Sequence, residues 1–346
     1  MPVAAKRVQV SSDNATYYTL PGNTGQLSLD GNAVDDTVFG QLYKSEQTTL
    51  INAQITAPAF YKGLAGYNAK LYKPGTSTAL TTEPMTLVSG KTYEITNAAK
   101  RVINRTFSPI NVFDNAVNAN AEVLNFDYLF GRVTFKASYT VIGPVTITGQ
   151  YYPMVQLAKA NSFSLTQSAD AVDTTDFETA QGNSGYRTFQ AGLKTVNLET
   201  KGFYDVTNAF KAALEARTVL IIEVNPDGTG KSIARGFFIP MSDQLAGNVG
   251  ALEEETVKWN LNVPSDDLML APFNWIHNAT TLSTAVQKAL AAWLAGDLVW
   301  VSYLPDGLVG FKTQAVVTNA SLASSVEGIN TFSFQFQMTG SFVAAP

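Results

Sequence analysis

The residues best suited to chemistry in this chain are three consecutive carboxylates, Glu253-Glu254-Glu255, a glycine-rich turn, Pro226-Asp227-Gly228-Thr229-Gly230-Lys231-Ser232, and a single histidine, His277. Clustered carboxylates could hold a hard cation, which wants several oxygen ligands, or could divide acid and base roles between them. Consecutive residues in a strand or loop splay to different faces, however, so the run reads as a solvated acidic edge, as does the acidic loop of Asp173, Asp176 and Glu178. Gly-Lys-Ser suggests a phosphate loop. Position 225 is Asn where that motif needs its first glycine, and the segment joins two strand-like runs instead of leading into a helix. His277 follows Phe273, Trp275 and Ile276 with no nucleophile beside it, so it reads as a packing or hydrogen-bonding residue. No pair of acids stands out as a glycosidase couple across a cleft. The chain has no Cys, which excludes disulfides, thiol catalysis and cysteine-ligated metals. The expectation is a protein that is not an enzyme, with no cofactor and no metal.

Composition points the same way. Of 346 residues, 45% are hydrophobic and only 15% charged, enough apolar mass for a packed core under a surface with few charges. Such a surface suits wide protein contact. A net charge of −5 disfavours binding by phosphate neutralisation, which needs a clustered excess of Lys and Arg. The first residues lack the apolar run of a secretion signal, and no apolar stretch reaches the roughly 18 residues that span a bilayer. The expectation is a protein made and kept in the cytoplasm until assembly or lysis, without a membrane partner.

The elements that would position these residues are mainly strands. Short apolar or alternating runs rich in Val, Thr, Ile, Tyr and Phe lie between Gly, Asn, Asp and Pro punctuation. From Thr331 to Met338 every second residue is large and apolar, which puts one face on a core. One segment, from about Leu282 to Ala295, carries an apolar stripe at helical spacing, with Thr280 or Thr281 to cap it and Gly296 to end it. A shorter one runs from about Val206 to Ala216.

Two stretches near the C-terminus repeat one script: helix, buried strand, Pro-Asp-Gly turn, second strand, polar loop, third strand. Their turns, Pro226-Asp227-Gly228 and Pro305-Asp306-Gly307, are 79 positions apart. Upstream, Ala33-Val34-Asp35 and Phe39 match Ala171-Val172-Asp173 and Phe177 at a constant offset of 138. Each match leads into an alternating strand that ends in an aromatic pair, Phe60-Tyr61 or Phe203-Tyr204. The predicted organisation is a first half-unit over 9–72 that pairs with a closing half over 265–346, an inserted or appended β module over 73–155, and a complete unit over 156–264. The predicted fold class is mainly β, a sandwich or barrel with flanking short helices, duplicated within the chain.

The complete unit resembles the tail-tube (major tail) proteins of long-tailed bacteriophages. The likeness rests on Ala171-Val172-Asp173-Thr174-Thr175-Asp176-Phe177, Gly185-Tyr186-Arg187, Ala191 to Val196, Gly202-Phe203-Tyr204-Asp205, the helix-strand-turn-strand that follows, and Gly250 to Val257. It implies a virion protein of the tail, assembled in the host bacterial cytoplasm, whose β-sandwich subunits join into stacked rings around a bore for DNA ejection. Its partners would be copies of itself, in hexameric or trimeric pseudo-hexameric rings, and other tail proteins such as the tape measure, terminator and distal tail proteins. Genomic DNA would pass without specific binding. Asp173, Asp176, Phe177, Tyr186, Arg187, Asp35 and Phe39 become candidate inter-ring loop contacts, and Glu199, Glu253, Glu254 and Glu255 candidate acids of the lumen or rim. The alternative is a fibre, baseplate or other surface-binding β module.

Overall fold

The computed structural model describes residues 7–22, 24–35, 46–157, 159–205, 210–247, 253–264, 268–269, 271–277 and 282–345. These residues form a mainly β protein with three short α-helices, α1 (Phe177–Gly182), α2 (Phe210–Glu215) and α3 (Thr284–Ala295). The chain divides into two units. Unit 1 holds Met1–Asn68, Ser162–Leu198 and His277–Pro346, and unit 2 holds Ala69–Asn161 and Glu199–Ile276.

In unit 1 an antiparallel sheet runs Tyr18–Thr19, Arg7–Ser11, Val299–Leu304, Gly310–Ser325, Ile329–Ala345, Glu46–Ala65, Gln26–Asp35. The far end of Gly310–Ser325 takes a further neighbour, because Ala160–Asp173 pairs there from Ser162 opposite Ser325 to Ser168 opposite Asn319. The alternation along Ile329–Ala345 turns Phe332, Phe334 and Phe336 inward, where they are buried and stack at 5.8 and 5.9 Å. Helix α3 packs on this sheet through Ala285, Val286, Ala289, Leu290 and Trp293. Ser283 caps it, its hydroxyl accepting the Val286 N–H, and Gly296 ends it in the left-handed region at φ 83°, a conformation that costs glycine nothing. The caps expected at Thr280 and Thr281 fall outside the described residues.

Unit 2 contains the matching order. Met154–Gln156, Lys70–Pro74, Leu220–Asn225, Ile233–Ala246 and Glu254–Leu261 are successive antiparallel neighbours, and α2 packs on Ile233–Ala246. A seven-stranded sheet fills out the unit, running Val123–Asp127, Arg132–Phe135, Thr92–Ile95, Thr78–Ser89, Val145–Tyr151, Asn111–Asp114, Val117–Asn118. Residues 206–209, where the first predicted helix was to begin, lie outside the described residues.

The two Pro-Asp-Gly segments form equivalent turns. The Asp227 carboxylate accepts the Thr229 N–H, the Asp306 carboxylate accepts those of Leu308 and Val309, and Gly228 and Gly307 take φ of 64° and 78°. The next strands share a bulge at one position: Pro240 to Ser242 in unit 2 and Val317 to Asn319 in unit 1, 77 positions apart. The repeat therefore extends to backbone irregularities that short motifs do not carry.

The boundaries differ from the predicted ones in two places. The stretch 156–264 is not one unit, since Ser162–Leu198 belongs with unit 1 through the Ala160–Asp173 pairing. Nor is 73–155 a separate module. Ile221 and Phe237 bury in one cluster with Ile95, Ile103, Phe130 and Phe135, so the seven-stranded sheet and 199–276 share a core.

Candidate assembly surface

The loop between Ala160–Asp173 and Phe189–Phe203 is built by local hydrogen bonds. Asp176 caps α1, its carboxylate accepting the Thr179 N–H at 2.7 Å while the Thr179 hydroxyl accepts the Asp176 N–H at 2.8 Å, a reciprocal capping box. The Thr179 N–H and hydroxyl hold the Asp176 carboxyl below its ordinary pKa. Asp173 accepts from Arg187 at 2.8 Å and from the Thr175 N–H at 2.9 Å. Partial burial pushes its carboxyl up, but the bonds from Thr175 and the Arg187 charge outweigh that and hold it low.

Beyond α1 the loop docks on its own unit. Ile51 donates its N–H to the Gly185 carbonyl, and the Ile51 carbonyl accepts from Arg187. The Arg187 carbonyl accepts from Gly340, and Thr339 Oγ1 accepts from the Phe189 N–H. The Tyr186 ring stands edge-on to Phe342 at 5.4 Å. The structure thus brings Asp173, Asp176, Tyr186 and Arg187 together in one ordered loop, with the Asp173 and Asp176 side chains exposed. Phe177 opens α1, and Asp35 ends its strand opposite Glu46. The side chains of Phe177 and Asp35, and all of Phe39, lie outside the described residues.

The acids part company. Glu253 and Glu254 are exposed, and Glu199 is half-buried beside Lys201 at 3.2 Å. Glu255 is 6% exposed and cannot serve as a lumen or rim acid. Strand phase is the reason, since Glu255 points inward with Val257 and Trp259. There it supports the charge of Lys73: burial lowers the Lys73 pKa, and Asp205 and Glu255 oppose that shift. Among the described residues no group of three or more acidic or His side chains could hold a metal ion, and no helix is long and apolar enough to cross a membrane.

His277 is held at a pKa of about 4 by burial. A base depressed in the folded state favours unfolding by acid, because the unfolded imidazole takes its proton near 6.5 and the folded one does not until about 4. The protein should lose about 2 kcal/mol of stability between pH 7 and 4.5 through this group. The same loss should be absent in His277→Gln when the two are compared by denaturant unfolding at both pH values.

No family model matches the chain, and no curated protein matches it. Among solved structures, a chain from the virion of a native gene transfer agent particle is 16% identical, with 36% of this chain and 89% of that chain covered and a TM-score of 0.30. A chain from the tail of an empty gene transfer agent particle, refined with C6 symmetry, is 18% identical, with 32% and 84% covered and a TM-score of 0.29.

Proposed function

We propose that this protein is a structural subunit of a phage-like tail that assembles with copies of itself into stacked rings, forming a tube through which DNA passes. The observation that carries the reading is the repeated sheet. Helix, strand, Pro-Asp-Gly turn, bulged strand and third strand recur in two units of one chain. A duplicated sheet with a flanking helix suits a wall segment used twice per chain. In this reading exposed Glu253 and Glu254, with Glu199, give the bore a weak negative charge, which repels phosphate and lets a duplex slide. The loop of Asp173, Asp176, Tyr186 and Arg187 faces the next ring, and other tail proteins bind the ends of the stack.

Electron microscopy of the purified protein across a concentration series tests this. Stacked rings with an open bore are expected, three-fold if both units are wall segments and six-fold if one is. A protein that stays monomeric at every concentration, or an isolated trimer that binds glycans, would overturn the reading in favour of a surface-binding module.

A further inference from the structure

Among the described residues, two of the open strand edges correspond to a joint that the internal repeat fills elsewhere in the chain, which indicates what each accepts. Gln26–Asp35 has Glu46–Ala65 on one side and, among the described residues, no strand on the other. Ile233–Ala246 is paired along one side by Phe273–Ile276 and Glu254–Leu261, while on its other side Leu220–Asn225 covers only 234–238. Among the described residues, 242–246 are left with an unpaired edge. In unit 1 the corresponding edge, beginning at Asn319 just past the shared bulge, is filled by Ala160–Asp173. That strand is itself the sequence counterpart of Gln26–Asp35, at the offset of Ala33 to Ala171.

Burial shows what the missing neighbour changes. Leu165 and Leu322, opposite one another in the filled joint, are both 0% exposed. Leu245, the counterpart of Leu322, is 51% exposed, and Leu29 on the open strand is 53% exposed. Long edges carrying apolar side chains aggregate unless something covers them. Neither 26–29 nor 242–246 contains the Lys or Pro that commonly blunts such an edge.

We infer that residues 26–30 of one copy pair antiparallel with residues 242–246 of a second copy, in the register of the internal joint. Leu27 then faces Leu245, and Asp30 lies opposite Ser242. The inference rests on the reading of this chain as a self-assembling subunit, and it names the joint. Pairing satisfies the free backbone groups on both edges and covers Leu245. The opposite face sets Leu29 against Asp243 where the internal joint has Gln167 against Ala320, so the intermolecular joint is the weaker of the two. Donor and acceptor edges are different surfaces of one chain. The contact is heterologous and propagates until a ring closes.

The absence of native Cys makes the test direct. Leu27→Cys and Leu245→Cys proteins are mixed under assembly conditions and oxidised. A disulfide-linked dimer is expected from the mixture and not from either variant alone, and the double variant should give a ladder of higher multimers. Leu27→Cys paired with Gln244→Cys, which points to the other face, should give little product. Rings in the microscope without the 27–245 cross-link would overturn the joint and leave the tube reading standing. The cross-link in filaments or oligomers without a bore would sustain the joint and defeat the tube. A monomer at every concentration would overturn both. Leu245→Lys, at an exposed position, provides the second measurement: multimers should be lost with the monomer's thermal unfolding unchanged, and retention of multimers would count against the joint.

Discussion

Replacing Arg235 with Ala is expected to destabilise unit 2 by about 3–5 kcal/mol, the range for stripping one partner from a buried ion pair. The Arg235 and Glu223 side chains are 8% and 6% exposed, and Nε donates to Glu223 Oε2 at 2.7 Å. The guanidinium also donates to the Leu129 carbonyl at 2.8 Å and lies 4.8 Å from the centre of the Phe130 ring. Alanine removes all three interactions at once. It leaves a carboxylate in the interior without its cation and takes from Leu129 a donor to its carbonyl, so most of the loss is desolvation that is no longer compensated. Glu223→Leu added to Arg235→Met should recover much of that loss, because an apolar pair of similar volume leaves no charge behind. Amide exchange in Leu220–Asn225 and Ile233–Ala246 reads the effect within this unit. A cost below about 1 kcal/mol for Arg235→Ala would mean the pair is solvated in solution.

The position of Arg235 also shows why one domain boundary could not be read from sequence. It sits on a strand of the repeat, yet its side chain reaches Leu129 and Phe130, about a hundred residues upstream, in a segment that matches nothing else in the chain. Repeats define ancestry. Cores are defined by which apolar faces meet, and the burial of Ile221 and Phe237 with Ile103 and Phe130 was not encoded in any local period. The same limit applies to Ala160–Asp173. Its alternation reveals which side chains turn inward but not which strand lies alongside, and here that neighbour is roughly 150 residues away.

Local features were far more legible. The α3 stripe, the Pro-Asp-Gly turns and the inward aromatics of Ile329–Ala345 each follow from a period or a turn chemistry that acts within a few residues. The sequence carries the signal that places two of the candidate-site acids. Glu255 shares strand phase with Val257 and Trp259, which assigns it to the interior, and Asp176 with Thr179 three positions on has the spacing of a capping box. Strand period decides the environment of Glu255, and the capping spacing decides that of Asp176.

Phe334→Ala should cost unit 1 about 3–5 kcal/mol, and the packing around it favours the upper part of that range. Phe334 is 0% exposed and lies opposite Ala320 on one neighbouring strand and Ala57 on the other. Phe332 faces Ala59 on one side but Leu322 on the other, and Phe336 faces Val317 and Ile55. A truncated side chain costs least where larger neighbours can lean into the space. At Phe334 both cross-strand neighbours are alanines, buried at 0% and 1% exposure, with no atoms to move into the gap. The stacks with Phe332 and Phe336 are lost as well, at about 0.5–1.5 kcal/mol each beyond the buried area. Phe332→Ala should therefore be the milder of the two, since Leu322 can relax toward it, and the order of the pair is a sharper check than either value. Ile329–Ala345 is hydrogen-bonded along both sides, so the loss should appear as faster amide exchange in Gly310–Ser325 and Glu46–Ala65 together. Equal losses at 332 and 334, or exchange confined to one neighbour, would show that the aromatic row is not the shared core of these three strands.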